Sequence, residues 1–359
     1  MSDHDVAAQR LANQQLVRPR FETVPELVRW MGAIQAQDYR GGLWGAGLRL
    51  AAADVAAVEG AVAARKVVRT WPMRGTLHFV PAEDARWMLQ LLTPRIVTGS
   101  AGRYRALELD EAAFARSARV LARALEGGRS LTRPEVYETL ARGGVSPAGQ
   151  RGIHVIGHLA QQGLLCHGPR GERQPTFVLL EEWIRKSRSP TREEALATLA
   201  TRYFQSHGPA TLPDFTWWSG LRVKDAQRAI EAAGGRLAKE TRDGLAFWSG
   251  AASASRRSRP PRRGAAVLLP PWDEYIVGYR DREAAVGHLS NHAMERLKTV
   301  GSSLVVIDGI VRGRWRITDR TRAARLVTDD WTRVTTAERR AVQEAARRYG
   351  RFFGIEVGA

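Results

Sequence analysis

Residues 131–180 read LTRPEVYETLARGGVSPAGQRGIHVIGHLAQQGLLCHGPRGERQPTFVLL. Thr132 is followed three residues on by Glu135, with Pro134 in the first turn, so a capped helix is predicted from there to about Ala141. Gly143-Gly144 and Ser146-Pro147 then break the chain. A second helix is predicted over 150–162, where Ile153, Ile156, Leu159 and Ala160 form an apolar stripe. Strands follow over 164–166 and 176–180, joined by the turn-rich HGPRGERQP. Helix, turn, helix and a two-stranded wing make a winged helix-turn-helix.

The same order of elements returns on both sides of this stretch. Downstream, helices are predicted over 191–206, 212–218 and 223–233, the last closed by Gly234-Gly235. The wing there is GRLAKETRDGLAFWS, with Asp243-Gly244 as its hairpin turn. Upstream, helices over 5–17, 23–34 and 52–64 precede the strand-like VVRTWPM and RGTLHFV, and 83–92 is helical again. Residues 251–264, AASASRRSRPPRRG, cannot build a core and read as a basic loop. In LVVIDGIVRGRWRI, Asp308-Gly309 marks another hairpin. Its second strand would put Val311, Trp315 and Ile317 on one face and Arg312, Arg314 and Arg316 on the other.

Of the 359 residues, 55 are Lys or Arg and 37 Asp or Glu, a formal charge of +18. Such an excess points to a polyanionic partner, although the preponderance of arginine is also what a GC-rich genome writes. The distribution is firmer: residues 1–60 sum to −1 and residues 251–359 to +9. The single cysteine, Cys166, excludes an intrachain disulfide and any multi-cysteine metal site, and fits a reducing compartment. No signal peptide and no apolar run of membrane-spanning length is found. The expectation is a cytoplasmic, nucleoid-associated monomer with no membrane contact. Its fold class is α+β, mainly helical: three tandem winged helix-turn-helix domains with β-hairpin wings forming a concave DNA-binding surface. The division expected is domain 1 over 1–126, domain 2 over 127–190, domain 3 over 191–250, and a segment 251–359 whose basic loop, hairpin and C-terminal helix pack on the others.

Several chemistries lack their parts. There is no P-loop, HExxH, GxSxG elbow or Rossmann fingerprint. His154 and His158 lie four apart near Cys166 and His167, but one thiol and no partner motif leave a metal ligand set unexplained, so no metal and no cofactor are expected. Arg151, His154, His158 and Gln161 instead form a polar helix face, the surface that would meet DNA or simply solvent. Arg222 and Lys224, with Arg228, are expected to contact phosphates in the third module or simply to face solvent. Period-two spacing would put Arg74, Thr76 and His78 on one face, with Arg74 for a phosphate and His78 for a cavity wall, or with both in structural hydrogen bonds. Asp273, Tyr275, Tyr279 and Arg280 either line a cleft or hold a domain junction. The segment MGAIQAQDYRGGLWG resists a structural account, although its Q-x-Q taken alone also reads as surface polar filler. Residues two apart on a helix point away from each other, so Gln35 and Gln37 act together only if the backbone leaves helical geometry.

IQAQD at 34–38, RTWPMRGTLH at 69–78, GLLCHGPRG at 163–171, GPATLPDFTWWSGL at 208–221 and PPWDEYIVGYRDR at 270–282 together resemble the AlkZ/YcaQ-type DNA glycosylases, in order along the chain. The resemblance implies three tandem winged-helix domains and hydrolysis of the N-glycosidic bond of N7-alkylated purines in double-stranded DNA. It extends to bulky adducts and interstrand crosslinks from a genotoxic alkylator, in DNA repair or self-resistance. It also implies that Gln35 and Gln37 are catalytic, in the Gln-x-Gln form of the family. An N7-alkylated purine is already cationic and departs without an enzymic acid, leaving water to be placed against an oxocarbenium-like sugar. Two amide carbonyls can do this. Gln37 is assigned the closer contact, with Asp38 as the runner-up base and His78 as support. No lysine accompanies the motif, so no lyase step is expected. The alternative is a non-enzymatic winged-helix transcriptional regulator, for which the sequence offers no dimer signal.

Overall fold

The computed structural model describes residues 3–171, 174–252, 264–287, 301–318, 324–330 and 333–358. Most of the expected basic loop at 251–264 lies outside the described residues. The chain forms two compact units, residues 59–195 and residues 1–58 together with 196–359. This grouping cuts across the four consecutive segments expected from the sequence.

In the 59–195 unit, five strands lie in the order Thr76–Pro81, Val67–Met73, Leu165–Arg170, Pro175–Leu179, Leu131–Thr132. The strands of the first two predicted wings are thereby joined through the pairing of Arg69 with His167. Pro72 sits where the register shifts between Thr70 and Met73, as a residue without an N–H requires inside a sheet. Helices Glu111–Leu125, Arg133–Arg142 and Arg151–Gln161 close over the sheet. Their buried faces, Leu121, Leu125, Val136, Leu140, Val155, Ile156 and Leu159, share one core with Trp71, Leu77, Leu165 and Phe177. The capping box is present, the Glu135 carboxylate accepting from both the Thr132 N–H and hydroxyl at 2.7 Å. Ile153 departs from the predicted apolar stripe and is 38% exposed.

The other unit begins with helices Asp3–Asn13, Val24–Met31 and Tyr39–Gly47. It resumes with helix Arg192–His207, whose start precedes the division, and with Leu212–Ser219, Val223–Ala233 and the hairpin Leu237–Arg242 with Leu245–Gly250. Asp243 and Gly244 have φ of +47° and +77°, as the primed hairpin turn demands. The hairpin predicted around Asp308 forms part of a larger sheet, Val357–Gly358, Ala324–Asp330, Ile310–Thr318, Leu304–Ile307 and Ala266–Leu269 in that order. The final helix, Thr336–Phe353, brings Tyr349 edge-on to both Trp44 and Trp315, at 5.2 and 5.1 Å between ring centres.

Candidate active site

The glutamine segment leaves helical geometry as soon as the preceding helix ends. Helix Val24–Met31 stops three residues short of its predicted end because Gly32 turns to φ +77°, a conformation that L side chains rarely adopt. Strand Ile34–Gln35 follows, and helix Tyr39–Gly47 starts anew after Asp38. Burial alternates across the motif: Ala36 is buried, Gln35 half-buried and Gln37 exposed. The Gln35 Oε1 atom is itself buried and, among the described residues, accepts no hydrogen bond. A buried amide oxygen in that state is an acceptor in need of a donor.

Asp38 has a structural task through one of its two carboxylate oxygens. Its Oδ2 accepts from the Gly41 N–H at 2.7 Å, making it the N-cap of helix Tyr39–Gly47. An aspartate immediately before a helix carries this signal in the sequence, and the structure adds a capping role to the residue read there as the runner-up base.

Behind the motif lies a polar cluster that the sequence reading only partly identified. Glu274, not singled out there, is 1% exposed, and its Oε1 accepts from the Gln35 N–H at 2.8 Å. Its Oε2 accepts from Trp218 Nε1–H at 3.0 Å and lies 3.4 Å from His207 Nε2. Burial lowers the pKa of His207, with Glu274 opposing that shift. Asp273 meets Arg49 in a bidentate pair at 2.7 and 2.8 Å. The Tyr279 hydroxyl donates to the His207 carbonyl at 2.7 Å and accepts from Gln14 Nε2 at 3.0 Å, while the Tyr275 hydroxyl donates to the Gly309 carbonyl at 2.8 Å. Burial pushes both phenols up. Of the four residues singled out in PPWDEYIVGYRDR, Asp273, Tyr275 and Tyr279 are buried and hold the packing, and Arg280 is exposed.

In the 59–195 unit the other candidates are placed differently from expectation. Arg74 and Gly75, at φ +53° and +73°, are the turn of the hairpin, so Arg74 does not share a strand face with His78. His78 is fully buried, its Nδ1 2.9 Å from the Thr76 carbonyl. The polar face of helix Arg151–Gln161 turns inward. His158 is buried and stacked on Phe114 at 3.7 Å between ring centres, and burial pushes its imidazole down to about 4. Gln161 is buried as well. His154 is half-buried, edge-on to Tyr104, with its pKa lowered by burial and then by Arg103. Arg151 donates to the carbonyls of Ser146, Leu107 and Glu108, fastening the turn before the helix. Solvation of that face fails because helices on both sides cover it, which period alone does not reveal. Cys166 is buried, and burial raises its thiol pKa.

Exposure is retained in the other unit by Arg222, Lys224 and Arg228, around the start of helix Val223–Ala233. Along Ile310–Thr318, Val311 and Trp315 are buried while Arg312 and Arg314 are half-buried and Arg316 is exposed. Ile317 is half-buried. The arginine face is partly neutralised: Arg312 pairs with Glu338 at 3.7 Å and Arg314 with Asp329 at 2.8 Å. Among the described residues no group of three or more His, Cys, Asp or Glu could hold a metal ion, and no helix is long and apolar enough to cross a membrane.

A family model described as DNA glycosylase AlkZ-like matches residues 28–352. A Streptomyces sahachiroi protein named interstrand DNA cross-link repair glycosylase is 27% identical over 368 residues, covering 95% of this chain and 94% of that one. The solved structure of the Streptomyces sahachiroi DNA glycosylase AlkZ aligns with a TM-score of 0.76 at 25% identity, covering 100% of each chain.

Proposed function

The chain belongs to the AlkZ-like family of DNA glycosylases, and from that premise we propose that it hydrolyses the N-glycosidic bond of N7-alkylated purines, bulky adducts and interstrand crosslinks included. The Streptomyces sahachiroi relative is named for crosslink repair, and its 27% identity over nearly the whole chain supports carrying that substrate class across. A producer or neighbour of a genotoxic alkylator would use the activity for repair or self-resistance.

The observation that carries the reading is the state of the two amides. Gln35 and Gln37 leave the helix together, Gln37 reaching solvent and Gln35 presenting a buried Oε1 without a donor. Water positioned between such acceptors gains the orientation needed to attack C1′, and the same oxygens favour positive charge on the sugar as the bond breaks. The purine leaves as a neutral base because alkylation at N7 has already supplied its positive charge. Neither Asp38, committed to its cap, nor any acid for the leaving group is needed.

Grip on the duplex is assigned to exposed cations. Arg222 and Lys224 at the head of helix Val223–Ala233 and Arg316 on the C-terminal sheet fit phosphate contacts. The succession of helices and hairpin at 192–250 fits a winged helix, with tandem modules of that kind as the DNA-binding frame. Release of 7-methylguanine from alkylated duplex DNA tests the function. Excision by the wild type and none above background by the Gln35→Ala, Gln37→Ala double variant is the expected result; undiminished excision by that variant overturns the assignment.

A further inference from the structure

We infer that Glu274 is the positioning residue of the catalytic segment, acting on Gln35 through its main chain; the inference rests on the reading of the glutamine pair given above. The contact spans 239 positions of sequence, from a two-residue strand to a one-turn helix. A carboxylate withdrawn from water to this degree costs several kcal/mol unless donors surround it. Here they do: Gln35 N–H on Oε1, and Trp218 Nε1–H with His207 Nε2 close by on Oε2. Glutamine at this position would have to turn its NH2 toward the Gln35 N–H or the Trp218 N–H, donor against donor. A carboxylate alone accepts on both sides.

Glu274 is itself held. It opens helix Glu274–Val277, whose N-cap Asp273 accepts from the Tyr275 N–H at 2.9 Å and grips Arg49 with both oxygens. Arg49 also donates to the Gly45 carbonyl at 2.8 Å and to Gln14 Oε1 at 2.8 Å. Register therefore passes from helix Tyr39–Gly47 through Arg49 and Asp273 to Glu274, and back to Gln35, on either side of Asp38. The charge has a second effect. It stands one hydrogen bond behind the Gln35 peptide, in surroundings that screen it weakly, and negative charge there favours positive charge developing on the sugar. Arg10 with Asp214 at 3.6 Å and Arg49 with Asp273 at 2.7 Å are ion pairs of the same buried cluster.

The test is a double-mutant cycle in single-turnover excision of 7-methylguanine, with duplex affinity measured in parallel. Glu274→Gln is expected to slow excision ~10–100-fold, the scale of a misplaced catalytic group, while leaving duplex affinity unchanged. In a Gln35→Ala background the same change is expected to have less than about a twofold effect, since the two residues act as one unit. Tyr203→Phe removes another buried hydrogen bond of the cluster, the one to the Gly278 carbonyl, and is expected to retain the wild-type rate. Wild-type excision by Glu274→Gln, or an equal slowing with and without Gln35, overturns the inference. The Gln35 amide proton resonance supplies a readout independent of activity: it should move upfield in Glu274→Gln, and an unmoved resonance also overturns the contact. A wild type that releases no 7-methylguanine sinks the substrate reading alone, and the amide resonance then decides the positioning. Should Glu274→Gln not fold, Glu274→Asp, which retracts the carboxylate, is measured in the same two ways with the same expected directions.

Discussion

At the scale of single residues, Gln35, Gln37 and Asp38 are neighbours in sequence with different tasks. Either glutamine replaced by alanine is expected to lower the single-turnover rate on the order of 10²-fold, as for removal of one preorganised polar group. Asp38→Asn preserves a capping side chain and should excise at the wild-type rate, whereas Asp38→Ala should lose about 1 kcal/mol of stability in denaturant titrations. A collapse of activity in Asp38→Asn would restore the aspartate as base. His158 makes a different prediction. Its folded pKa, about 4, lies below the ordinary histidine value, so the unfolded chain takes up the proton first. The stability contributed by the neutral ring is present above the unfolded pKa and is lost as pH falls through the window down to about 4. Thermal midpoints should fall across that window, and less steeply in His158→Leu. His154, His167 and His207 are depressed in the same sense, so the slope should flatten without vanishing.

Among the elements, the hairpin at Asp308-Gly309 has the most stringent turn. Its φ values are +49° and +87°, and a Cβ on Gly309 would lie 2.8 Å from Ala7 Cβ. Gly309→Ala should cost about 1 kcal/mol or more, visible as a lowered denaturant midpoint with unchanged slope. The strand beyond it shows how period and context divide the work. Alternation put Val311 and Trp315 inward and the arginines outward, and that much was legible in the sequence. Pairing of Arg312 with Glu338 and Arg314 with Asp329 was not, because the carboxylates come from another helix and another strand. Arg316→Ala should therefore weaken duplex binding and reduce the salt slope by about 0.9, more than Arg314→Ala does. Anisotropy titrations over a range of salt read both. Helix Arg151–Gln161 taught the converse. Its position was predicted to within a residue or so at either end, but its polar face, read as outward, was covered by helices whose packing the helical period does not encode.

For the whole molecule, charge and chemistry are separated along the chain. Half of the +18 lies beyond residue 250, and residues 1–60, which hold the glutamines, sum to −1. Duplex affinity should accordingly fall steeply with salt, while excision at saturating enzyme should change little; parallel curves for the two would contradict this separation. The sequence by itself located many of the elements, since caps, Asp-Gly turns and apolar periods are local and act within a few residues, but helices Tyr39–Gly47 and Glu111–Leu125 were not among those it marked. It also marked Gln35 and Gln37 as a candidate pair, through the family resemblance of the runs around them rather than through their spacing alone. Tertiary structure alone decided which polar residues face water and which brace the core. It placed His158, Gln161 and His78 in the interior, Arg74 in a turn and Asp38 at a cap. Glu274 was found only there, for its partner is 239 residues away, and burial is a property of what the rest of the chain places around a side chain.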